Sequence, residues 1–340
     1  MKKMFNFDYF NIWKEIGYFY LVKAVFRKEK INVCEKRILI INPCIIGDFA
    51  ASVPAIADFI QRNKDKKIDL IVSAPLKTLA EKIKGIEKVY TTQSVSKISY
   101  EKIILLRATG EVYDFLKKVS ACGVQTNGWT FIWYAFHLLM SLLLRRAPKQ
   151  WRVVNFEMLG GAPRNISFDE MFKLGPEDYK SANKVIIHTG ASWPMMHWEK
   201  EKWVELLRKI NTFGTFEFIF VGAAKDSEDY EYISSNLPFE IHSVISKIDL
   251  LELMLLLRSA DYFIGIDSGP ANLAHLAKLR SIVIFGPGPH MFVSDDTNDI
   301  IIDKSNGRGL YQRFFLKKKG FIQMISSEEV FQAFIKLYRK

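Results

Sequence analysis

The stretch from Arg37 to Ile60 constrains the fold of this chain more than any other. Its opening run, Ile38 to Ile41, is aliphatic without interruption, which is typical of a strand buried on both faces. Residues 42–48 have the character of a turn, and from Phe49 onward the apolar residues recur at helical spacing. A strand, a loop and a helix in this order predict the first unit of an α/β domain with a parallel sheet.

Gly47 and Asp48 stand at the predicted junction between this strand and its helix. In parallel sheets, ligands gather beyond the carboxyl ends of the strands, where helix N-termini present backbone N–H groups. Gly47 permits a tight turn, and Asp48 could cap the helix through its side-chain oxygen. Capping alone would explain both residues, so a catalytic role for Asp48 needs support from other parts of the chain.

Strand and helix patterns alternate through both halves of the sequence. In the first half we expect strands near residues 70–73, 89 and 103–106. In the second half we expect strands at 185–187, 216–221, 240–244, 262–266 and 281–285. Helices are expected in the second half at 199–210, 226–235 and 250–258. The polar, turn-rich stretch 160–176 is the best candidate for a linker. The pattern predicts an α/β protein of two Rossmann-like, doubly wound domains that face each other across an interdomain cleft, the natural ligand site.

The expected domain limits follow from these patterns. We predict an N-terminal amphipathic helical extension at residues 1–36, a first Rossmann-like domain at 37–174, a second at 175–325 and a C-terminal helix at 326–340.

Charge and cysteine content narrow the class of partner. A formal net charge of +11 favours anionic partners, but the chain has neither zinc-finger spacing nor an RNP-type sequence, so no nucleic acid is expected. The three cysteines are odd in number and widely spaced, which argues against a disulfide framework or a structural zinc site. A reducing, cytoplasmic setting fits best.

Two apolar segments bear on membranes. The first thirty residues combine apolar and basic positions at helical spacing; an interfacial helix and a helix packed on the first domain explain them equally well. Polar residues such as Asp8 interrupt this segment, which argues against a secretory signal. The run from Phe131 to Leu144 is shorter than the roughly 20 residues needed to span a bilayer, so we expect a buried helix, with a lipid-facing patch as the alternative.

Glycine and hydroxyl residues follow several strands of the second half. They are Thr189, Gly190 and Ser192; Gly222; Asp267, Ser268 and Gly269; and Gly286 and Gly288. Together they could surround a diphosphate with N–H and O–H donors, although each set could equally be a helix cap or a turn. No GxxxxGK[ST] or GxGxxG motif follows a strand, which argues against a P-loop NTPase or a dinucleotide enzyme of the usual kind.

Four segments, in order, carry a family resemblance. They are ILIINPCIIGDFAASVPAI, IHTGASWPMMHWEKEKWVELL, FIFVGAAKDSEDY and SADYFIGIDSGPANLAHLAKLRSIVIFGPGP, and GFIQMISSEEVFQAF near the C-terminus adds a fifth likeness. In these segments the chain resembles glycosyltransferase family 9, whose best-known members are the ADP-heptose:lipopolysaccharide heptosyltransferases. One such segment would be weak support, and four in the same order are strong.

The resemblance implies a GT-B fold and an inverting glycosyltransferase that uses neither a metal nor a cofactor. By resemblance, Asp48 is the general base that takes the proton of the acceptor hydroxyl. The implied partners are an ADP-heptose or related nucleotide-sugar donor, and a lipopolysaccharide core or other glycolipid acceptor. The basic excess and the apolar N-terminal segment add the expectation that this cytoplasmic protein binds peripherally to the inner-membrane surface.

The resemblance also implies a set of binding residues in the second domain. The acceptor-side loop contains Gly47, and the donor would contact Thr189, Gly190, Ser192, His197, Gly222, Asp226, Asp267, Ser268, Gly269 and Asn272. Asp226 would accept hydrogen bonds from the ribose hydroxyls, although capping of the helix that begins there explains it as well. We expect His188 and His275 to be packing or solvent-facing residues, and Trp198 and Trp203 to be core residues.

Two positions depart from the family pattern. Met196 precedes His197 where relatives usually carry a lysine or arginine, and Asn272 replaces a histidine. Because methionine supplies no charge, His197, Lys225 or a helix dipole would have to neutralise the diphosphate. These departures support an alternative function, that of a non-catalytic nucleotide-sugar or glycolipid binding protein of the same fold. Retention of Asp48 favours the enzyme.

Overall fold

The structure is a computed structural model. It describes residues 36–93, 99–107, 110–116, 124–126, 150–174, 183–190, 196–286, 298–305 and 320–339, with a few isolated positions elsewhere. These residues form two compact units, which divide between Leu174 and Gly175. The predicted N-terminal extension and most of the apolar run 131–144 lie outside the described residues.

The first unit contains a parallel five-stranded sheet. Its strands are β1 (Arg37–Asn42), β2 (Lys67–Val72), β3 (Ile86–Thr91), β4 (Lys102–Leu105) and β5 (Val124–Thr126). The spatial order is β3-β2-β1-β4-β5, so the order reverses beside β1, which pairs in parallel with β2 on one side and β4 on the other. All of β1 is buried, as its unbroken aliphatic run predicted.

Five helices accompany this sheet among the described residues. They are α1 (Ile46–Arg62), α2 (Lys77–Ala80), α3 (Gly110–Leu116), α4 (Trp151–Met158) and α5 (Phe168–Met171). The predicted apolar positions Phe49, Val53 and Ile56 of α1 are fully buried. The helix packs extensively against α4, which lies far from it in sequence.

The second unit contains a parallel six-stranded sheet. Its strands are β6 (Lys184–His188), β7 (Glu217–Phe220), β8 (His242–Ser243), β9 (Tyr262–Ile266), β10 (Arg280–Ile284) and β11 (Asp299–Ile302). The order β11-β10-β9-β6-β7-β8 reverses between β6 and β9, which pair directly. This is the strand order of the Rossmann fold, and it confirms the doubly wound prediction. Strand β11 was not predicted, although Ile300 to Ile302 form a short aliphatic run.

Helices follow the strands of this unit in the alternating pattern that was predicted. They are α6 (Lys200–Phe213), α7 (Ser227–Ser235), α8 (Leu250–Ser259), α9 (Gly269–Leu276) and α10 (Ser327–Tyr338). Trp203 from α6 and Phe334 from α10 enter one apolar cluster with residues of the central strands. Trp198 belongs to the same cluster and donates its indole N–H to the Ile325 carbonyl at 2.9 Å, so both tryptophans are core residues, as expected.

The boundary between the two units falls within the predicted linker at 160–176, but most of that stretch packs with the first unit. Residues up to Leu174 belong to the first unit, and Arg164 donates to Asp58 of α1 at 2.6 Å. Burial raises the pKa of Asp58, but hydrogen bonds from Arg164 and Arg62 outweigh this effect and hold the pKa below its ordinary value. Charged side chains paired over a long sequence separation anchor this segment, and turn-rich composition gives no sign of them.

No helix among the described residues is both long enough and apolar enough to cross a membrane.

A buried ion pair links β1 and β2 near their amino ends. Arg37 Nη1 donates to both oxygens of Asp69 at 3.0 and 2.9 Å, and the Tyr100 hydroxyl donates to Asp69 at 3.1 Å. Asp69 and Tyr100 are fully buried. Because a buried charge without its partner is costly, this cluster holds the two strands in one register.

We predict that Asp69→Ala destabilises the first unit by about 3–5 kcal/mol, because it leaves the Arg37 guanidinium buried without its counter-ion. Denaturant unfolding measures the effect. Asp65→Ala is the control, since the ion pair of Asp65 with Lys36 is solvent-exposed, and it should change stability little. Equal stability of Asp69→Ala and the wild type would contradict the prediction.

Candidate active site

Gly47 and Asp48, which follow β1, lie in a helix rather than in a turn. Helix α1 begins at Ile46 with Ile45 as its N-cap residue, so Gly47 and Asp48 occupy its first turn. The expectations that Gly47 forms a tight turn and that Asp48 caps the helix are therefore wrong. The error arises because Ile45 offers no side-chain cap, and the polar residue that usually marks a helix start is missing.

Asp48 forms an ion pair that the sequence did not indicate. Arg107, directly beyond β4, donates from Nη2 to Asp48 Oδ2 at 2.5 Å. The guanidinium carbon of Arg107 lies 4.0 Å from the ring centroid of Trp151, at the start of α4. Since β1 and β4 flank the reversal of strand order, this pair lies where a doubly wound sheet binds its ligands.

In the second unit, His188 and Ser268 are in contact where the strand order reverses between β6 and β9. His188 ends β6, and Ser268 is the N-cap residue of α9, which follows β9. Ser268 Oγ lies 3.1 Å from His188 Nδ1 and also accepts a hydrogen bond from the Ala271 N–H at 3.4 Å. The structure therefore brings His188, a buried packing residue as expected, against a predicted donor-binding residue.

Asp226 lies beside this pair in a space that glycine residues leave open. Its Oδ2 is 3.8 Å from His188 Nε2 and accepts the Ala223 N–H at 2.8 Å. A Cβ at Gly190 would lie 2.0 Å from Asp226 Oδ1, and one at Gly222 would lie 2.6 Å from Oδ2. Both glycines are therefore needed for close approach. The Asp226 side chain makes no capping hydrogen bond to α7.

Burial keeps the His188 imidazole neutral. The pKa of His188 falls from 6.5 to about 3, chiefly because the ring is removed from water; the nearby charges of Lys225 and His197 act in the same direction and Asp229 acts against them. In the tautomer with its proton on Nε2, which faces Asp226, Nδ1 would accept the Ser268 O–H.

Asp229 joins two of the predicted donor-binding residues and was itself missed. It lies 3.8 Å from His197 Nδ1, and His197 lowers the pKa of Asp229 more than partial burial raises it. A hydrogen bond with the buried Thr189 hydroxyl also lowers this pKa. The His197 side chain is 41% exposed, which suits a residue that meets a ligand.

Three of the remaining predicted residues, Asp267, Gly269 and Asn272, lie at the start of α9. Asn272 is buried and donates to the Ser268 carbonyl at 2.8 Å, so in this structure its side chain supports the start of α9. Gly269 opens α9, and Asp267 precedes its cap with a backbone hydrogen bond to Ile284 at 3.2 Å. Ser192 and Gly288 lie outside the described residues. His275 packs against Asp299, 2.6 Å from one carboxylate oxygen.

The comparisons with known proteins agree with this arrangement. Residues 162–305 match the model of glycosyltransferase family 9 (heptosyltransferase), and the matched stretch contains β6, β9 and the His188–Ser268 contact. The match covers less than half of the chain and lies mostly in the second unit. A curated relative, lipopolysaccharide heptosyltransferase 1 of Campylobacter coli, is 29% identical over 166 residues. The alignment spans 47% of this chain and 48% of that relative, so it covers about half of each.

Solved structures extend the likeness to the whole fold. The glycosyl transferase family 9 protein of Veillonella parvula is 13% identical with a TM-score of 0.68, over 91% of this chain and 99% of that one. The E. coli heptosyltransferase WaaC, solved with ADP, is 13% identical with a TM-score of 0.68 over 88% and 99% of the two chains. At such low identity these structures establish the fold alone, and that fold is GT-B.

The neutral His188 predicts a pH dependence of stability. The histidine has an ordinary pKa of 6.5 and a folded pKa of about 3, so between these values the unfolded chain binds more protons. The stability that neutral His188 contributes is fully present above pH 6.5 and is lost as the pH falls towards 3. The free energy of unfolding decreases over this range by up to about 1.4 kcal/mol per pH unit. Denaturant unfolding over this range should show a shallower slope for His188→Gln. His242→Gln, at an exposed position, should keep the wild-type slope.

Gly190→Ala should destabilise the second unit by about 1–3 kcal/mol, because the added methyl group displaces the Asp226 carboxylate. Thermal unfolding of Gly190→Ala, Asp226→Ala and the double variant measures the coupling. We expect the methyl group to cost less once Asp226 is shortened. Strictly additive effects would show that the two side chains do not compete for space.

Proposed function

We propose that this protein is an inverting glycosyltransferase that transfers heptose or a related sugar from an ADP-linked donor to a lipopolysaccharide core or another glycolipid. The observation that carries the proposal is the family match over residues 162–305, which contains both strand ends that meet through His188 and Ser268. A nucleotide sugar is expected at this position, because a doubly wound sheet binds ligands where its strand order reverses.

The second unit offers suitable groups for a diphosphate. The N-terminus of α9, with Ser268 as cap and Gly269 in the first turn, provides the positive end of a helix dipole. Lys225 follows β7 and is close enough to lower the pKa of His188. These two sources of positive potential compensate for Met196, which stands where a cation is usual. WaaC of E. coli was solved with ADP and with ADP-2-deoxy-2-fluoro heptose, which supports an ADP-linked donor.

Asp48 is the proposed general base. In the proposed step the acceptor hydroxyl oxygen bonds to the anomeric carbon while the bond from that carbon to the diphosphate oxygen breaks. The hydroxyl proton passes to Asp48, ADP leaves, and the anomeric configuration inverts. Asp48 suits this role because it lies beyond the carboxyl end of β1 and retains some exposure, with 17% of its side chain accessible. The step requires no metal ion.

The proposed acceptor also suggests where the protein works. A glycolipid headgroup lies at a membrane surface, and a chain of net charge +11 is attracted to anionic lipid. We propose peripheral binding at the cytoplasmic face of the inner membrane.

Release of ADP from ADP-heptose in the presence of lipopolysaccharide core tests the proposal. Asp48→Asn should lower kcat by about 10²–10⁴-fold, because the amide cannot accept the hydroxyl proton. Asp65→Asn, an exposed change in the same unit, is the control and should keep wild-type turnover. Turnover that survives Asp48→Asn would reject Asp48 as the base.

Calorimetry with the same donor separates the enzyme from its alternative. Tight donor binding by a wild-type protein that never releases ADP would favour the non-catalytic binding protein. Asn272 motivates this second candidate, since its side chain is committed to the Ser268 carbonyl.

A further inference from the structure

Arg107 is held in place by three elements of the first unit. Its backbone N–H donates to the Ile41 carbonyl of β1 at 3.2 Å, which fixes its main chain beside the end of that strand. Its guanidinium lies over the Trp151 ring of α4 at 4.0 Å and donates to Asp48 of α1 at 2.5 Å. The planar guanidinium therefore has both its position and its orientation determined by neighbours.

The pair is largely removed from solvent. The side chains of Arg107 and Asp48 are 10% and 17% exposed, so water screens their attraction much less than at an open surface. Pairs at such sites hold their geometry better than exposed ion pairs, in which long side chains move freely. Asp48 therefore has few alternatives to the orientation that Arg107 imposes.

The hydrogen bond occupies only one oxygen of the carboxylate. Arg107 binds Oδ2, and within the described part of the chain Oδ1 has no hydrogen-bond partner. A carboxylate whose one oxygen is fixed and whose other oxygen is open can accept a proton from a defined direction. An ion pair with a purely structural role would not need a carboxylate oxygen left without a hydrogen bond.

We propose that Arg107, supported by Trp151, is a positioning residue that orients Asp48 so that Oδ1 faces the acceptor hydroxyl. This inference rests on the proposed function, because it assigns Arg107 a role through the base of that reaction. Arg107 is not a catalytic residue in this proposal, since it acts on Asp48 and not on the reacting atoms. The test distinguishes two other roles for Arg107: an ion pair that only stabilises the fold, or a contact that prevents Asp48 from accepting a proton.

Arg107→Ala tests the proposal, because loss of a positioning residue should change kcat and the KM for the donor to different extents. We expect kcat to fall by about 10²-fold, the cost of a misplaced reacting group, while the KM for the donor changes less than about threefold. Millimolar guanidinium ion, which can occupy the space over Trp151, should restore much of kcat in Arg107→Ala and none in Asp48→Asn. Arg107→Lys should stay impaired, because an ammonium group lacks the planar geometry.

Arg62→Ala is the matched control. Arg62 belongs to the same unit, pairs with Asp58 at 2.8 Å and lies 5.8 Å from the Phe59 ring centroid, so its loss removes similar contacts far along α1 from Asp48. Unfolding midpoints are measured for every variant. A role confined to stability predicts that kcat follows the midpoint in both arginine variants and that guanidinium rescues neither.

The outcomes separate this proposal from the proposed function. If wild-type turnover depends on Asp48 but Arg107→Ala retains or raises kcat, positioning by Arg107 is rejected and the enzyme stands. If the wild type shows no turnover, carbon-13 NMR of the Asp48 carboxyl group tests the positioning role instead. The Asp48 signal is assigned by its loss in Asp48→Asn. Arg107→Ala should shift or broaden it and guanidinium should reverse the change, whereas an unaltered signal rejects the positioning role.

Discussion

Reversal of strand order beside the first strand is the constraint on which both units depend. At that point the connections on either side of the sheet leave in opposite directions, so the carboxyl ends of two neighbouring strands are left uncovered. In the first unit these strands are β1 and β4, and in the second they are β6 and β9. Each gap is spanned by a polar side-chain contact, Arg107 with Asp48 in one and Ser268 with His188 in the other. The same topology thus yields a charged pair in one unit and a neutral pair in the other.

Much of the fold follows from local pattern, whereas the site depends on contacts between distant residues. Aliphatic runs such as Ile38 to Ile41 indicate buried strands, because a strand covered on both faces carries apolar side chains on each of them. Ser268 is recognisable as a cap from the residues that follow it. Arg107 and Asp48 are separated by 59 positions, and nothing local to Arg107 indicates its partner. Asp229 is hidden for the same reason, because its contacts with Thr189 and His197 form only after β6 and α7 pack.

The errors in the sequence predictions have identifiable physical causes. The start of α1 was placed too late because Ile45 caps it without a polar side chain, and Ile45 is 73% exposed, so neither composition nor burial marks the boundary. The segment before Leu174 resembled a linker because it is polar and contains several glycines. Its polar side chains instead bind α1, and Asp58 joins Arg62 and Arg164 there. Polar composition is compatible with a loop in solvent and with an anchored segment alike.

The electrostatics of the second unit follow from burial of one histidine. Because His188 is neutral, it contributes no positive charge towards a diphosphate, and the potential must come from Lys225 and the α9 dipole. Asp226 lies 3.8 Å from Nε2, and in the tautomer with its proton on Nε2 the Ser268 hydroxyl would donate to Nδ1. In that tautomer the hydroxyl proton would not be available to a phosphate oxygen. A diphosphate bound in the proposed manner would then depend on backbone N–H groups and Lys225 more than on Ser268, which reduces the need for a cation at the position of Met196.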